Sequence, residues 1–176
     1  MLPTLHSDRL VLRPWAPEDT EAVLDLYSRW DVVQYLGTNP KTITRPAEAA
    51  ARIAVWAAFP GPLHGVWAIV PVDGGQPIGT ALLKLLPDSG SGTQSTHTEV
   101  GWHLHPQAWG HGYATEAGRW LLEHAWEQGL AEVFAVTYPQ NSASQAVCRR
   151  LGMAPLGLTD RFYDVTCELF RADRPG

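Results

Sequence analysis

The chain is poor in the features that mark several large classes of protein. Its 176 residues include two cysteines, Cys148 and Cys167. That is too few for a disulfide framework, and a reducing setting such as the cytoplasm is expected. No uninterrupted apolar run approaches the ~18 residues of a membrane span, so no membrane association is expected. The opening MLPTLHSDRL lacks a basic region followed by an apolar one, so no signal peptide is expected. The Gly-Lys-Ser/Thr of a P-loop is absent. Charged residues make up only 18% against 45% hydrophobic, which excludes a disordered chain. Net charge is −5 with pI near 5.7, which argues against a nucleic-acid partner and suits a cationic substrate such as an amine. There is no internal repeat, and the one low-complexity stretch is the loop PDSGSGTQST at 87–96. The length suits a single domain over 1–176 with a sizeable core.

What is present centres on 99–117, EVGWHLHPQAWGHGYATEA. In 99–105, Val100, Trp102 and Leu104 alternate with Glu99, Gly101, His103 and His105, the period of a strand. Pro106 ends it, because a strand interior cannot spare the N–H. A short turn with two glycines follows. From Tyr113 onward Ala114, Ala117, Gly118, Leu121, Leu122 and Ala125 recur at helical spacing, with Gly129 as the stop. A helix start leaves about four N–H groups without partners at the positive end of the dipole. Gly110 and Gly112 let a ligand approach that backbone closely. Together they make an anion site suited to a phosphate or pyrophosphate, unless the glycines serve turn geometry alone.

The rest of the chain reads in order. RLVLRPW at 9–15 predicts a first strand. Pro17 and the acidic residues after it start a helix with a stripe of Val23, Leu26, Tyr27 and Trp30. The segment 31–44 is irregular. A second helix begins near Pro46, buries Ala49, Ile53 and Trp56, with Ala57 as a further candidate, and stops at FPGP. GVWAIV and IGTALLKLL predict a hairpin through Asp73-Gly74-Gly75, apolar on both faces as in a covered sheet. EVFAVTY at 132–138 predicts another strand. Asn141 caps the next helix, which runs to Leu151. Segments 153–159 and 162–171 predict a closing pair of strands. The order is β-α-α-β-β-β-α-β-α-β-β, an α/β (α+β) chain with a central twisted mixed sheet flanked by helices.

The dinucleotide fingerprint needs Gly or Ala where this chain has Thr115, and usually opens the first βαβ unit rather than lying late in the chain. The pattern that remains is Q-x-x-G-x-G-x-A, carried by Gln107, Gly110, Gly112 and Ala114. It resembles the acetyl-coenzyme A loop of the GNAT (Gcn5-related) N-acetyltransferases. The run QAWGHGYATEA is most similar to the branch containing the ribosomal-protein N-terminal acetyltransferases. Pro139 to Ser144, with Leu151-Gly152-Met153, resembles the family's P-x-N-x-x-S…LGF run, and the element order matches over nearly the whole chain.

The resemblance implies an acetyl-CoA-dependent N-acetyltransferase acting on a primary amine, either a small molecule or a protein N-terminus, by direct attack in a ternary complex. It implies a cofactor site of His103, Leu104, Gln107, Trp109, Gly110, His111, Gly112, Tyr113, Ala114, Thr115, Asn141 and Ser144. Gln107 would act through its backbone as much as its side chain, and the strand before Pro106 would offer N–H groups to the thioester and the pantetheine arm. Glu99 is the candidate base, working through a water, with His103 second. Tyr35, Trp56 and Trp67 are candidate walls of the acceptor pocket. Many relatives carry a tyrosine seven residues after the asparagine to protonate the leaving thiolate. Here that position is Cys148, whose thiol is no stronger an acid than the leaving thiol itself, which shifts the role to Ser144 or water unless the thiolate leaves without an acid. No metal is expected, and a homodimer stays open. Two other readings remain at this point: a CoA-binding module without catalysis, and a nucleotide-binding enzyme using the glycine turn.

Overall fold

The computed structural model describes residues 2–176. Eight strands form one sheet: β1 (Leu5–His6), β2 (Leu10–Pro14), β3 (Gly65–Pro71), β4 (Gly79–Pro87), β5 (Gln94–Leu104), β6 (Glu132–Thr137), β7 (Ala154–Thr159) and β8 (Cys167–Asp173). Their spatial order is β1-β2-β3-β4-β5-β6-β8-β7. All neighbours are antiparallel except β5 and β6, which meet in parallel at a single registered pair, Glu99 and Phe134. The helices are α1 (Thr20–Tyr27), α2 (Trp30–Val33), α3 (Pro46–Ala57), α4 (Tyr113–Glu127) and α5 (Ser142–Arg150).

The two-sided apolarity of β3 is explained by a layer on each face. Trp67 and Ile69 join Leu10, Leu12, Leu83 and Val100 under Ala117, Leu121 and Ala125 of α4, with Cys148 of α5 in the same cluster. Val66, Ala68, Val70 and Leu82 point the other way, under Val23, Leu26 and Tyr27 of α1 and Ala49 and Ile53 of α3. Each fully buried large side chain contributes about 1.5–3 kcal/mol, so these two clusters carry the fold. Arg13 grips Asp19 with two bonds of 2.7 and 2.8 Å, and Asp19 accepts from the Ala16 N–H at 2.9 Å, which fixes the entry to α1.

Four sequence expectations change. Trp30 is 55% exposed, because the helix after Pro17 stops at Tyr27 and Trp30 opens the separate turn α2. Ala57 is exposed at the end of α3. Trp67 is fully buried core with its indole N–H on Pro3 at 2.8 Å, and so is no pocket wall. The strand leading to the glycine turn starts at Gln94, five residues before Glu99, so the polar loop before it is shorter than its composition suggests. Leu5–His6 adds a short edge strand that two residues could not announce. No helix among the described residues is long and apolar enough to cross a membrane.

Candidate active site

The sheet splits where β5 and β6 diverge beyond Glu99, and a cavity of about 930 Å³ fills the gap. On one face it is walled by the starts of α4 and α5, and on the other by Leu82, Lys84, Glu99, Gly101, His103 and Arg52. The N–H of His105 donates to Ile78 on the β4 side at 2.9 Å. Antiparallel alternation then turns the backbone groups of Trp102 and Leu104 toward the split. The Leu104 carbonyl is taken by the Trp109 indole N–H at 2.9 Å, which leaves the N–H groups of this edge for a ligand.

The glycine turn begins with a tight turn over Pro106–Ala108, and α4 opens at Gly112. Gly110 and Gly112 both hold positive φ, 77° and 80°, a conformation that L side chains rarely adopt. A Cβ at Gly110 would meet nothing within 4 Å. Arg9 clamps the turn from outside: its Nη1 donates to the His111 carbonyl at 3.0 Å and its Nε to Glu116 at 2.7 Å. The Thr115 Oγ1 is buried without a hydrogen-bond partner among the described residues, in the cavity wall one turn into α4. An orphaned hydroxyl beside a bare helix start, at the end of a long cavity, fits a pyrophosphate-bearing group.

Leu104, Trp109, Gly110, Gly112, Tyr113, Ala114, Thr115, Asn141 and Ser144 all line the cavity. Gln107 and His111 do not. Gln107 is exposed, and its N–H is bound to His105 Nδ1 at 3.2 Å. His111 is exposed and stacks on Tyr113 at 5.6 Å. Asn141 caps α5, its Oδ1 accepting from the Ser144 N–H at 3.2 Å, while it also lines the cavity. Asn141→Ala is therefore expected to cost about 1 kcal/mol of stability and to weaken CoA binding as well. Urea unfolding and CoA titration check this: stability lost with full CoA affinity would leave the cap as its sole role.

Glu99 is 8% exposed, so it is no solvated strand-end carboxylate. Its Oε2 accepts from the Tyr163 hydroxyl and lies 3.9 Å from Lys84 Nζ. Burial pushes its pKa up, and Lys84 and Tyr163 offset part of that rise. Lys84 also sits over the Tyr163 ring at 5.1 Å. Tyr163 is held at φ 62°, a left-handed backbone that aims its ring back into the site.

His103, the second candidate base, is placed otherwise. Burial, with Lys84 and Arg52 nearby, pushes its pKa down to about 3. Its Nδ1 is 2.9 Å from the Tyr27 hydroxyl, which in turn bonds Thr80 at 2.9 Å. A neutral imidazole that resists protonation is a poor proton acceptor at neutral pH. Cys148 is wholly buried and absent from the cavity wall, its thiol pushed up to about 12 by burial. Sequence reasoning missed Lys84, Tyr163, Arg52 and Tyr138. Lys84 stands directly opposite Glu99 in the β4–β5 register and was within reach once that pairing was fixed. Tyr163 and Tyr138 arrive from loops, and nothing in their spacing signals the site.

Comparison with known proteins shows the family. The family model described as the acetyltransferase (GNAT) domain matches residues 9–154. The chain belongs to the GNAT acetyltransferase family. It is an acetyl-CoA-dependent N-acetyltransferase. Over 165 residues this acetyltransferase is 27% identical to the uncharacterized N-acetyltransferase YoaA of Bacillus subtilis (strain 168), covering 92% of the chain and 89% of that protein. It is 33% identical over 165 residues to the FsC-acetyl coenzyme A-N(2)-transacetylase of Aspergillus fumigatus, covering 89% of the chain but 65% of the fungal protein. Among solved structures, the ribosomal L7/L12 α-N-protein acetyltransferase RimL in complex with coenzyme A superposes with a TM-score of 0.76. At 16% identity, over 97% of this chain and 98% of that one, the likeness is one of fold.

Proposed function

We propose that this GNAT enzyme transfers an acetyl group from acetyl-CoA directly to a primary amine, of a small molecule or a protein N-terminus, within a ternary complex. Acetyl-CoA supplies the activated thioester. The start of α4 from Gly110 to Thr115 holds its pyrophosphate through backbone N–H groups and the Thr115 hydroxyl, and Asn141, Ser144 and the open edge of β5 hold its arm. The observation that carries the reading is Glu99: a buried carboxylate of raised pKa in the wall of the same cavity as that cradle.

An amine acceptor is mostly ammonium at pH 7, so a proton must leave before it can attack. Glu99, directly or through a water, takes that proton. Burial makes it a stronger base than an exposed carboxylate, while Lys84 keeps the ionised form accessible. His103 stays neutral and positions Tyr27 and Thr80. The leaving thiolate takes its proton from Ser144 or solvent, because Cys148 lies in the core. Both cysteines are free and buried, which suits a reducing cytoplasm.

The test is twofold. Acetyl-CoA, but not ATP or NAD, is expected to raise the melting temperature. A panel of amines and N-terminal peptides is expected to release free thiol in step with amide formation. Thiol release that no amine accelerates would overturn direct transfer.

A further inference from the structure

A second, smaller hollow of about 270 Å³ opens off the first, sharing Arg52, Leu82, Lys84 and His103 with it. Its floor is apolar and aromatic, made by Trp56, Phe59, Val66 and Leu82. Two cations reach its rim. The Arg52 guanidinium lies over the Tyr27 ring, 4.4 Å from the centroid, and no carboxylate among the described residues pairs with it. Lys84 has one carboxylate neighbour, Glu99, at 3.9 Å. The other acidic side chain of the cavity wall, Asp31, is exposed. The chain as a whole carries −5, yet this corner is positive.

Stacking on Tyr27 holds the guanidinium in place and leaves its hydrogen-bonding fork to meet a planar anion in bidentate fashion. Lys84 occupies the junction between this corner and Glu99. Its strand position pairs with Glu99, and Leu82 and Thr80, the next residues on the same face, pair with Gly101 and His103. A molecule lying along this face therefore meets the carboxylate base at one end and the free guanidinium at the other. The ammonium of an acceptor is drawn to Glu99, and only an anion is drawn to Arg52.

Resting on the acetyltransferase reading above, we infer that the acceptor is an amine that also carries a carboxylate on an apolar or aromatic body, with the carboxylate bound by Arg52 and the apolar part on Trp56 and Phe59. A simple alkylamine or a polyamine would leave Arg52 facing bare solvent and would place a second positive charge against two cations. Such acceptors are disfavoured.

The test compares three acceptors that differ only at one end: phenylalanine, phenylalanine amide and phenethylamine. Wild-type enzyme is expected to show kcat/KM at least 10-fold higher for the acid than for either neutral form, mainly through KM. Arg52→Gln is expected to erase that ratio, and Arg52→Glu to invert it and bring up a diamine such as cadaverine. Acetyl-CoA affinity, read by calorimetry, is expected to stay as in wild type in both variants. Equal rates for the three acceptors, or a ratio unmoved by Arg52→Glu, would overturn the inference while leaving acetyl transfer intact. No transfer to any amine, with or without acetyl-CoA binding, would instead sink the function on which it rests.

Discussion

Glu99→Gln is expected to lower kcat by roughly 10²-fold or more while sparing acetyl-CoA affinity, because a positioned general base contributes on that order. Glutamine keeps the shape and removes the proton acceptor. The pH profile separates this from a packing effect. The carboxylate works only when ionised, and burial raises its pKa, so the acidic limb of kcat/KM should lie above the ordinary carboxylate range. That limb should vanish in Glu99→Gln and persist in His103→Ala, since burial pushes the His103 pKa well below the working range. Near-full activity of Glu99→Gln at pH 7 would remove Glu99 from the chemistry. A selective collapse in His103→Ala would move the role to the histidine.

The same residue gives a stability signature of opposite sign. A carboxyl whose pKa is raised by folding favours the folded state most when protonated. Its contribution is fully present below the unfolded pKa and is lost as pH rises through the folded value. Wild type should therefore lose stability relative to Glu99→Gln as pH climbs from about 4 toward neutrality, read by urea midpoints along the series. A base kept in a partly desolvated wall weakens the fold at the pH where it works, and a variant that is inactive yet more stable is the outcome that identifies it.

Much of the fold was legible because its strongest signals are local. The unbroken apolar run from Val66 to Val70 reflects a layer on each face of the sheet, and the helical spacing from Tyr113 to Ala125 reflects burial against one layer; both patterns can be read from consecutive residues. What sequence could not report was the divergence of β5 and β6. The gap depends on a parallel pairing that stops after one registered pair, and parallel register leaves no mark on a single strand. The site followed the same division. The glycine turn and the Asn141 cap are properties of a few consecutive residues and were readable. Tyr163 and Arg52 reach the cavity from a loop and from the rim of α3, so only the tertiary arrangement assigns them. Gln107 is the reverse case: the loop pattern names it, but it lies outside the cavity wall with its N–H on the His105 ring.

The glycine turn carries the other large effect. At Gly110 and Gly112 any L side chain is strained by the positive φ, so a valine variant would confuse lost binding with lost folding. Asparagine separates the two, because it is the residue after glycine that visits this backbone region most readily. A Cβ at Gly112 would lie 3.6 Å from Arg9 Nη2, an ordinary contact, and one at Gly110 would enter open space. Gly110→Asn and Gly112→Asn are therefore expected to fold with stability within about 1 kcal/mol of wild type. The added side chain would nonetheless stand where a pyrophosphate must press against the N–H groups of the turn. A charge-assisted hydrogen bond contributes about 1.5–3 kcal/mol, so losing even two weakens acetyl-CoA binding by roughly 10²-fold or more. Calorimetric titration of each folded variant with acetyl-CoA and with adenosine 3′,5′-bisphosphate reads the loss, and the pyrophosphate-bearing ligand should suffer far more than the bisphosphate, which lacks that bridge. Unchanged acetyl-CoA affinity in a folded Gly112→Asn enzyme would show that the cofactor is held elsewhere and that these glycines serve the turn alone.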